Sequence, residues 1–309
     1  MNQQLPLDFV TTMRNLYGSR GEIWCNLLPA HLATLARQWE LDLGAPYPLS
    51  YNYVCSAIQR RTGRSVVLKT SPDNPEFHTE VAMLRHYNGI GAVTVRAVDT
   101  VATAMLVSAA QPGIRLVDSG MPDAEQTHVA AQLMRQTIKP VARHAPFPTI
   151  HTQAGVLTDL HRRHPEAVRQ IGTVHHAAAT RFFAQIPPGT MALHGDLHHE
   201  NILSHDISWC IIDPKGVVGP PAAECAAFLR NPGALLASGI DVVALTTERI
   251  QIFAAVLALP PQEIACWNYA LMILSAWWCY EETQHIPQNV RVMVEAFARV
   301  AALLSSEPS

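Results

Sequence analysis

Between Leu193 and Pro214 the chain sets three polar side chains at fixed intervals in an otherwise apolar hairpin. The run reads Leu193-His194-Gly195-Asp196-Leu197-His198-His199-Glu200-Asn201-Ile202-Leu203, and Ile211-Ile212-Asp213-Pro214 closes it. Ile202-Leu203 and Trp209-Cys210-Ile211-Ile212 read as two short strands, with Ser204-His205-Asp206-Ile207-Ser208 as their turn. Asn201 and Asp213 then fall on the two arms of one hairpin, with Asp196 just ahead of it. A His-rich surface loop leading into a buried strand would account for one such acid, but not for three polar groups at this spacing.

The chemistry that needs this set is phosphoryl transfer. One carboxylate accepts the proton of an acceptor hydroxyl, while a carboxamide and a second carboxylate hold Mg²⁺ against the triphosphate. Asp, four residues, then Asn is the spacing of a kinase catalytic loop, and a second Asp follows it on a strand. Mg²⁺ is a hard cation that takes one or two oxygens from protein. Asp196 is therefore expected to be the base or orienting group, with Asn201 and Asp213 as the metal ligands. Pro214 stands where protein kinases carry Phe-Gly, and its fixed φ implies a site without their activation switch. Lys215 reads equally as a phosphate contact or a solvated turn lysine.

Composition narrows the alternatives. The 309 residues are 49% hydrophobic, enough for two modest domains or one bilobal unit. Net charge is −3 with only three lysines, Lys69, Lys139 and Lys215, so no nucleic-acid partner is expected. The six cysteines form no CxxC pair and read as reduced, packed thiols. The pairs His175-His176 and His198-His199 lack the helical spacing of a zinc site. Without a signal-peptide pattern or a long apolar run, the expectation is a cytoplasmic protein with no membrane segment and no obligate protein partner.

Along the chain, residues 1–23 read as polar and irregular. Asn26 to Leu41 then reads as an amphipathic helix, with Leu28, Leu32, Leu35, Ala36 and Trp39 on one face, Pro29 in its first turn and Gly44 past its end. Tyr51 to Ile58 and Ser65 to Lys69 read as a hairpin about Arg60-Arg61-Thr62-Gly63-Arg64. Leu49-Ser50-Tyr51-Asn52-Tyr53 lacks the glycines that let backbone approach phosphates, so Ser50 and Asn52 are candidate side-chain donors. Pro75 to Tyr87 reads as a helix with Phe77, Val81, Leu84 and Tyr87 on one face, and Glu76 and Glu80 are both placed to pair with Lys69. Val93 to Ala97 and Ala104 to Ala109 read as strands. The turn residues Ala109 to Gly113 mark a junction, giving a β-rich lobe over 1–110 and a helical lobe over 111–309. Helices are expected at 124–138, 154–161, 167–183, 224–229, 241–258, 261–284 and 290–305, with Pro187-Pro188-Gly189 leading into the hairpin.

His194 to Asn201 followed by Ile212-Asp213-Pro214-Lys215-Gly216 resembles the phosphotransferase loop of the aminoglycoside and hydroxyurea resistance kinases. Within that family it is most similar to the streptomycin 6-phosphotransferase branch, and the resemblance runs from about Trp24 to the C-terminus. It implies an α+β, bilobal, protein-kinase-like fold with a small antiparallel β-sheet lobe and a mainly helical lobe. ATP and Mg²⁺ are the implied cofactors. Glu80, which precedes Val-Ala-Met-Leu as the family's helix glutamate does, becomes the implied partner of Lys69, and that lysine the group on the α/β-phosphates. Adenine would bond to backbone around Val107 and Ala109.

The implied acceptor is a small molecule bearing a hydroxyl and cationic groups. Two guanidinium groups, as in streptomycin, call for carboxylates with bidentate reach. Glu224, Glu281 and Glu282 are the candidates, with Trp277, Trp278 and Tyr280 able to stack on cationic or sugar faces. Arg230-Asn231-Pro232 reads as structural. Two other readings compete: a metabolic kinase for a sugar, amino alcohol or nucleoside-like acceptor, and a nucleotide-binding pseudokinase.

Overall fold

The structure is a computed structural model and describes residues 5–142, 145–187 and 189–306. Met1 to Gln4, in the segment expected to be irregular, and Pro188, in the expected lead into the hairpin, lie outside the described residues. The chain divides into two compact units, Met1–Gly113 and Ile114–Ser309.

The first unit is a five-stranded antiparallel sheet with helices against it. Its strands are Leu41–Pro46, Tyr53–Gln59, Arg64–Thr70, Val95–Asp99 and Ala104–Ser108, with the last placed between the third and fourth. The expected hairpin is present, pairing Tyr53 with Thr70 through to Gln59 with Arg64. Alternate residues Tyr53, Cys55 and Ala57 are buried, as are Val66 and Leu68, so one face of the pleat forms the core. Helix Pro75–Tyr87 starts where expected because Asn74 accepts the Phe77 N–H at 3.0 Å and Pro75 occupies the first turn. Phe77, Val81, Leu84 and Tyr87 are all buried.

The N-terminal reading needs three corrections. Residues before Asn26 are not irregular, since Leu7–Tyr17 and Ser19–Gln38 are both helices. Phe9 and Met13 pack with Cys25, Leu28 and Leu35 in the core of this unit, and that burial overrides the polar composition. Pro29 sits well inside the second helix, not in its first turn. It lies on the exposed face, where water can satisfy the carbonyl left without a partner. Gly44 does not stop a helix. It belongs to the strand Leu41–Pro46 at a register shift, and a Cβ there would meet Ser56 Oγ at 2.3 Å.

The second unit is mainly helical. Its longest members are Asp123–Thr137, Val242–Leu257, Pro261–Thr283 and Gln288–Ser306. The expected helices 154–161 and 167–183 are each interrupted: Ile150–Ala154 and Val156–Arg163 part at Gly155, and Pro165–Ile171 and Thr173–Gln185 part at Gly172. Pro261–Thr283 runs through the core, burying Trp267, Met272, Ile273, Leu274, Ala276 and Trp277. Strands Ile202–His205 and Ser208–Ile211 form the central hairpin, pairing Ile202 with Ile211. Its turn is tighter than expected, with Asp206 at φ 51°. The architecture is an α+β, bilobal kinase-like fold, with an antiparallel sheet unit and a mostly helical unit. All six cysteines are free, and Cys25, Cys55, Cys210 and Cys225 are buried. Among the described residues no helix is long and apolar enough to cross a membrane.

Candidate active site

The hairpin registers Asn201 against Ile212, whose N–H donates to the Asn201 carbonyl at 3.0 Å. Asp213 follows directly, in the left-handed region at φ 60°. A non-glycine residue rarely adopts this conformation, and such residues concentrate at functional positions. The Asn201 amide nitrogen donates to the Asp196 carbonyl at 3.0 Å. That bond fixes the carboxamide and directs its nitrogen toward the loop, leaving Oδ1 as the group offered elsewhere.

His194 ties the two segments together. Its Nε2 donates to the Ile212 carbonyl at 2.8 Å, and its Nδ1 accepts the Asp196 N–H at 3.2 Å. One neutral tautomer satisfies both bonds. Burial keeps the ring neutral, pushing its pKa down to about 4. The His194 carbonyl also accepts the Gly216 N–H at 3.1 Å. Gly195 takes φ 81°, and a Cβ would meet Val217 Cγ2 at 2.9 Å, so the loop needs glycine here.

Two cations face Asp196. Lys215 Nζ lies 3.8 Å from Oδ2, and Arg230 Nη2 lies 3.5 Å from Oδ1. Burial pushes the Asp196 carboxyl up, but Lys215 and Arg230, with smaller contributions from His198 and His194, hold the group below the ordinary carboxylate range. Asp196 is therefore ionised at neutral pH and can accept a hydrogen bond from a hydroxyl. From sequence alone Arg230 reads as structural and Lys215 as either a phosphate contact or a turn lysine. The structure brings both to the loop, Arg230 across 34 positions of chain. No local motif announces that contact. Arg230 is held in turn by its neighbours: the fully buried Arg249 bonds to the Phe228 and Asn231 carbonyls and to both oxygens of Asp123.

In the first unit Lys69 meets Glu80, and not Glu76. Lys69 Nζ lies 2.8 and 2.7 Å from the two Glu80 oxygens, and both side chains are buried. Ser50 is exposed and Asn52 half-buried in the bend before strand Tyr53–Gln59. Val107 is buried in strand Ala104–Ser108, opposite Val67 and Val95. The Ala109 N–H already donates to the Ser65 carbonyl at 3.3 Å, so it is not offered to a nucleotide base.

The acceptor candidates separate. Glu224 is 3% exposed and does not face an open pocket. Oε2 accepts the Gly195 N–H at 3.4 Å, and burial raises the pKa to about 8. It supports the loop from beneath, which corrects the reading of Glu224 as an acceptor ligand. Sequence alone carried no sign of its burial. Glu281 lines a cavity of about 230 Å³ with Asp159, Arg163, His164 and Trp277. Glu282 is exposed on the same helix. His199 is also core, stacked on Phe228 with ring centroids 3.7 Å apart. His198 Nε2 lies 3.4 Å from the Asn201 amide nitrogen.

The donor set suits a hard divalent ion. Asn201 would supply its amide oxygen and Asp213 its carboxylate, both hard ligands, and Asn201 Oδ1 is set for this by the bond its nitrogen makes. Among the described residues no three His, Cys, Asp or Glu gather into a closed cage. An ion completed by phosphate oxygens and water needs none.

The family model for aminoglycoside/hydroxyurea antibiotic resistance kinases matches residues 50–283. Streptomycin 6-kinase from Streptomyces glaucescens is 24% identical over 289 residues, covering 90% of this chain and 92% of that protein. The fold is shared with aminoglycoside phosphotransferase APH(4)-Ia, solved as a thermostable mutant with ADP and hygromycin B. The TM-score is 0.59 at 14% identity, covering 87% of this chain and 98% of that one. A choline/ethanolamine kinase family protein from Mesorhizobium loti aligns with TM-score 0.61 at 15% identity, covering 91% and 95%. The chain is thus a phosphotransferase acting on a hydroxyl group, and it belongs to the aminoglycoside/hydroxyurea antibiotic resistance kinase family.

Proposed function

We propose that the protein transfers the γ-phosphate of ATP, with Mg²⁺, to a hydroxyl of an aminoglycoside such as streptomycin, and so inactivates it. The observation that carries this reading is the joining of Asp196, Asn201 and the Ile212-Asp213 segment through one neutral histidine, with two cations on Asp196. Asp196 accepts or orients the acceptor hydroxyl. Asn201 and Asp213 hold the metal, and Lys69, fixed by Glu80, holds phosphate. Mg²⁺ when bound offsets the charge of the transferring phosphate. Lys215 and Arg230 keep Asp196 ionised and offset its charge near an anionic donor.

Purified protein with ATP and Mg²⁺ is tested against streptomycin, other aminoglycosides, choline, ethanolamine and simple sugars. The expected result is ADP release and phosphate incorporation with streptomycin. Turnover with choline, ethanolamine or a sugar alone would replace the acceptor assignment with a metabolic one. ATP binding without turnover on any acceptor would remove the enzymatic reading of the site. Asp213→Ala and Asp196→Ala are each expected to abolish transfer, and full activity in Asp213→Ala would remove the metal assignment.

A further inference from the structure

The helix Pro261–Thr283 carries three aromatic residues near its C-terminus, and the structure gives them two fates. Trp277 and Tyr280 are core residues, 3% and 6% exposed, stacked on each other. Trp277 and Glu281, one turn apart, both face the cavity shared with Asp159, Arg163 and His164. Trp278 points elsewhere. It is 37% exposed, and Lys215 Nζ lies 5.8 Å from its ring centroid. The same Lys215 ammonium is 3.8 Å from Asp196 Oδ2. A half-exposed indole therefore stands one lysine away from the carboxylate that meets the acceptor hydroxyl.

Helical spacing extends that face. Glu282 is four residues after Trp278 and shares its side of the helix. Cys279, between them in sequence, is raised by burial and also feels both Glu282 and the Arg230 guanidinium. Arg230 is itself the second cation on Asp196. The shared Lys215 ammonium thus places the Trp278 face of the helix beside Asp196. An exposed large aromatic beside a carboxylate, in a place that already attracts an ammonium group, suits a flat cationic or sugar ring.

We propose that Trp278 and Glu282 form the acceptor subsite next to Asp196, with the indole as a stacking platform and Glu282 as the carboxylate for a guanidinium or ammonium group. Glu224 and Glu281 take no part in it. The proposal rests on the reading of the acceptor as a cationic aminoglycoside.

The test uses the full chain with streptomycin as probe, followed by steady-state kinetics and intrinsic fluorescence. Trp278→Leu is expected to raise the streptomycin KM about tenfold or more while kcat stays within about threefold. The KM for ATP stays at the wild-type value. Trp278→Phe, which keeps a stacking face, restores most of the affinity and guards against a folding defect. Glu282→Gln is expected to raise the acceptor KM at least about fivefold more than Glu281→Gln does. An acceptor KM in Trp278→Leu within about twofold of wild type overturns the subsite, as does a fall in kcat with KM unmoved. Streptomycin that neither binds nor reacts with the wild-type protein overturns the acceptor reading and the subsite together. Normal wild-type turnover with an unaffected Trp278→Leu overturns the subsite alone.

Discussion

His194 Nε2 donates to the carbonyl of Ile212 at 2.8 Å, linking the loop that carries Asp196 to the strand end that carries Asp213. The same ring accepts the Asp196 N–H, so each nitrogen has one partner and one role. Both functional segments are thereby referenced to one rigid, uncharged group that does no chemistry itself.

Replacing that ring tests the arrangement. His194→Ala leaves the Ile212 carbonyl and the Asp196 N–H short of a partner, at a cost of about 1–3 kcal/mol in stability. Activity is expected to fall further, about a hundredfold in kcat, because Asp196 and Asp213 lose their common reference. Thermal melts and Mg²⁺-dependent kinetics check both parts. A variant with wild-type kcat and lowered stability alone would make His194 purely structural.

The Lys69–Glu80 pair gives a second expectation. Both groups are buried, so removing one strands the other charge. Lys69→Met is expected to lose about 3 kcal/mol of stability and to raise the KM for ATP about tenfold or more. Glu76→Gln serves as the comparison, since the structure pairs Lys69 with Glu80 and not with its neighbour one turn earlier. Equal effects of Glu76→Gln and Glu80→Gln on ATP use would contradict the pairing.

Glu224 predicts a pH dependence of stability. Burial raises its carboxyl to about 8, above its ordinary value near 4.5. In the unfolded chain the group ionises as pH rises past about 4.5, while in the folded chain it stays protonated. The unfolded state therefore binds fewer protons across that interval, and the contribution to stability falls as pH rises from about 4.5 to 8. Glu224→Gln removes this slope. Its melting temperature relative to wild type should climb between pH 5 and pH 8, each kcal/mol being worth roughly 2–4 °C in a protein of this size. A constant difference across that range would show that Glu224 is ionised in place.

Arg249 predicts a stability effect without direct chemistry. It is fully buried, bonds to Asp123 and to the Phe228 and Asn231 carbonyls, and lies over the Phe228 ring at 5.2 Å. Arg249→Met should cost about 3 kcal/mol, because Asp123 and two carbonyls lose their donor. Since Arg230 lies between those two carbonyl residues in sequence, kcat should fall as well. A double variant with Arg230→Lys is then expected to lose less kcat than the two single losses combined.

Legibility from sequence followed how local the determining contact is. Helix Pro75–Tyr87 was readable end to end because its cap, its first-turn proline and its apolar face all lie within it. The spacing of Asp196, Asn201 and Asp213 was readable because a short hairpin enforces it. Strand Leu41–Pro46 was not, because Leu41 and Leu43 continue the apolar pattern of the preceding helix and Gly44 mimics a helix stop. Arg230 and Glu224 were misread for the same reason: their partners are about thirty residues away, and nothing in their neighbours reports burial. Trp277 and Trp278 are adjacent in sequence, yet only helical phase decides that one is core and the other exposed.

The four sequestered thiols are distributed evenly, Cys25 and Cys55 in the sheet unit, Cys210 and Cys225 in the helical one. An alkylating reagent reaches each only when its surroundings open, so site-resolved labelling times the breathing of each unit separately.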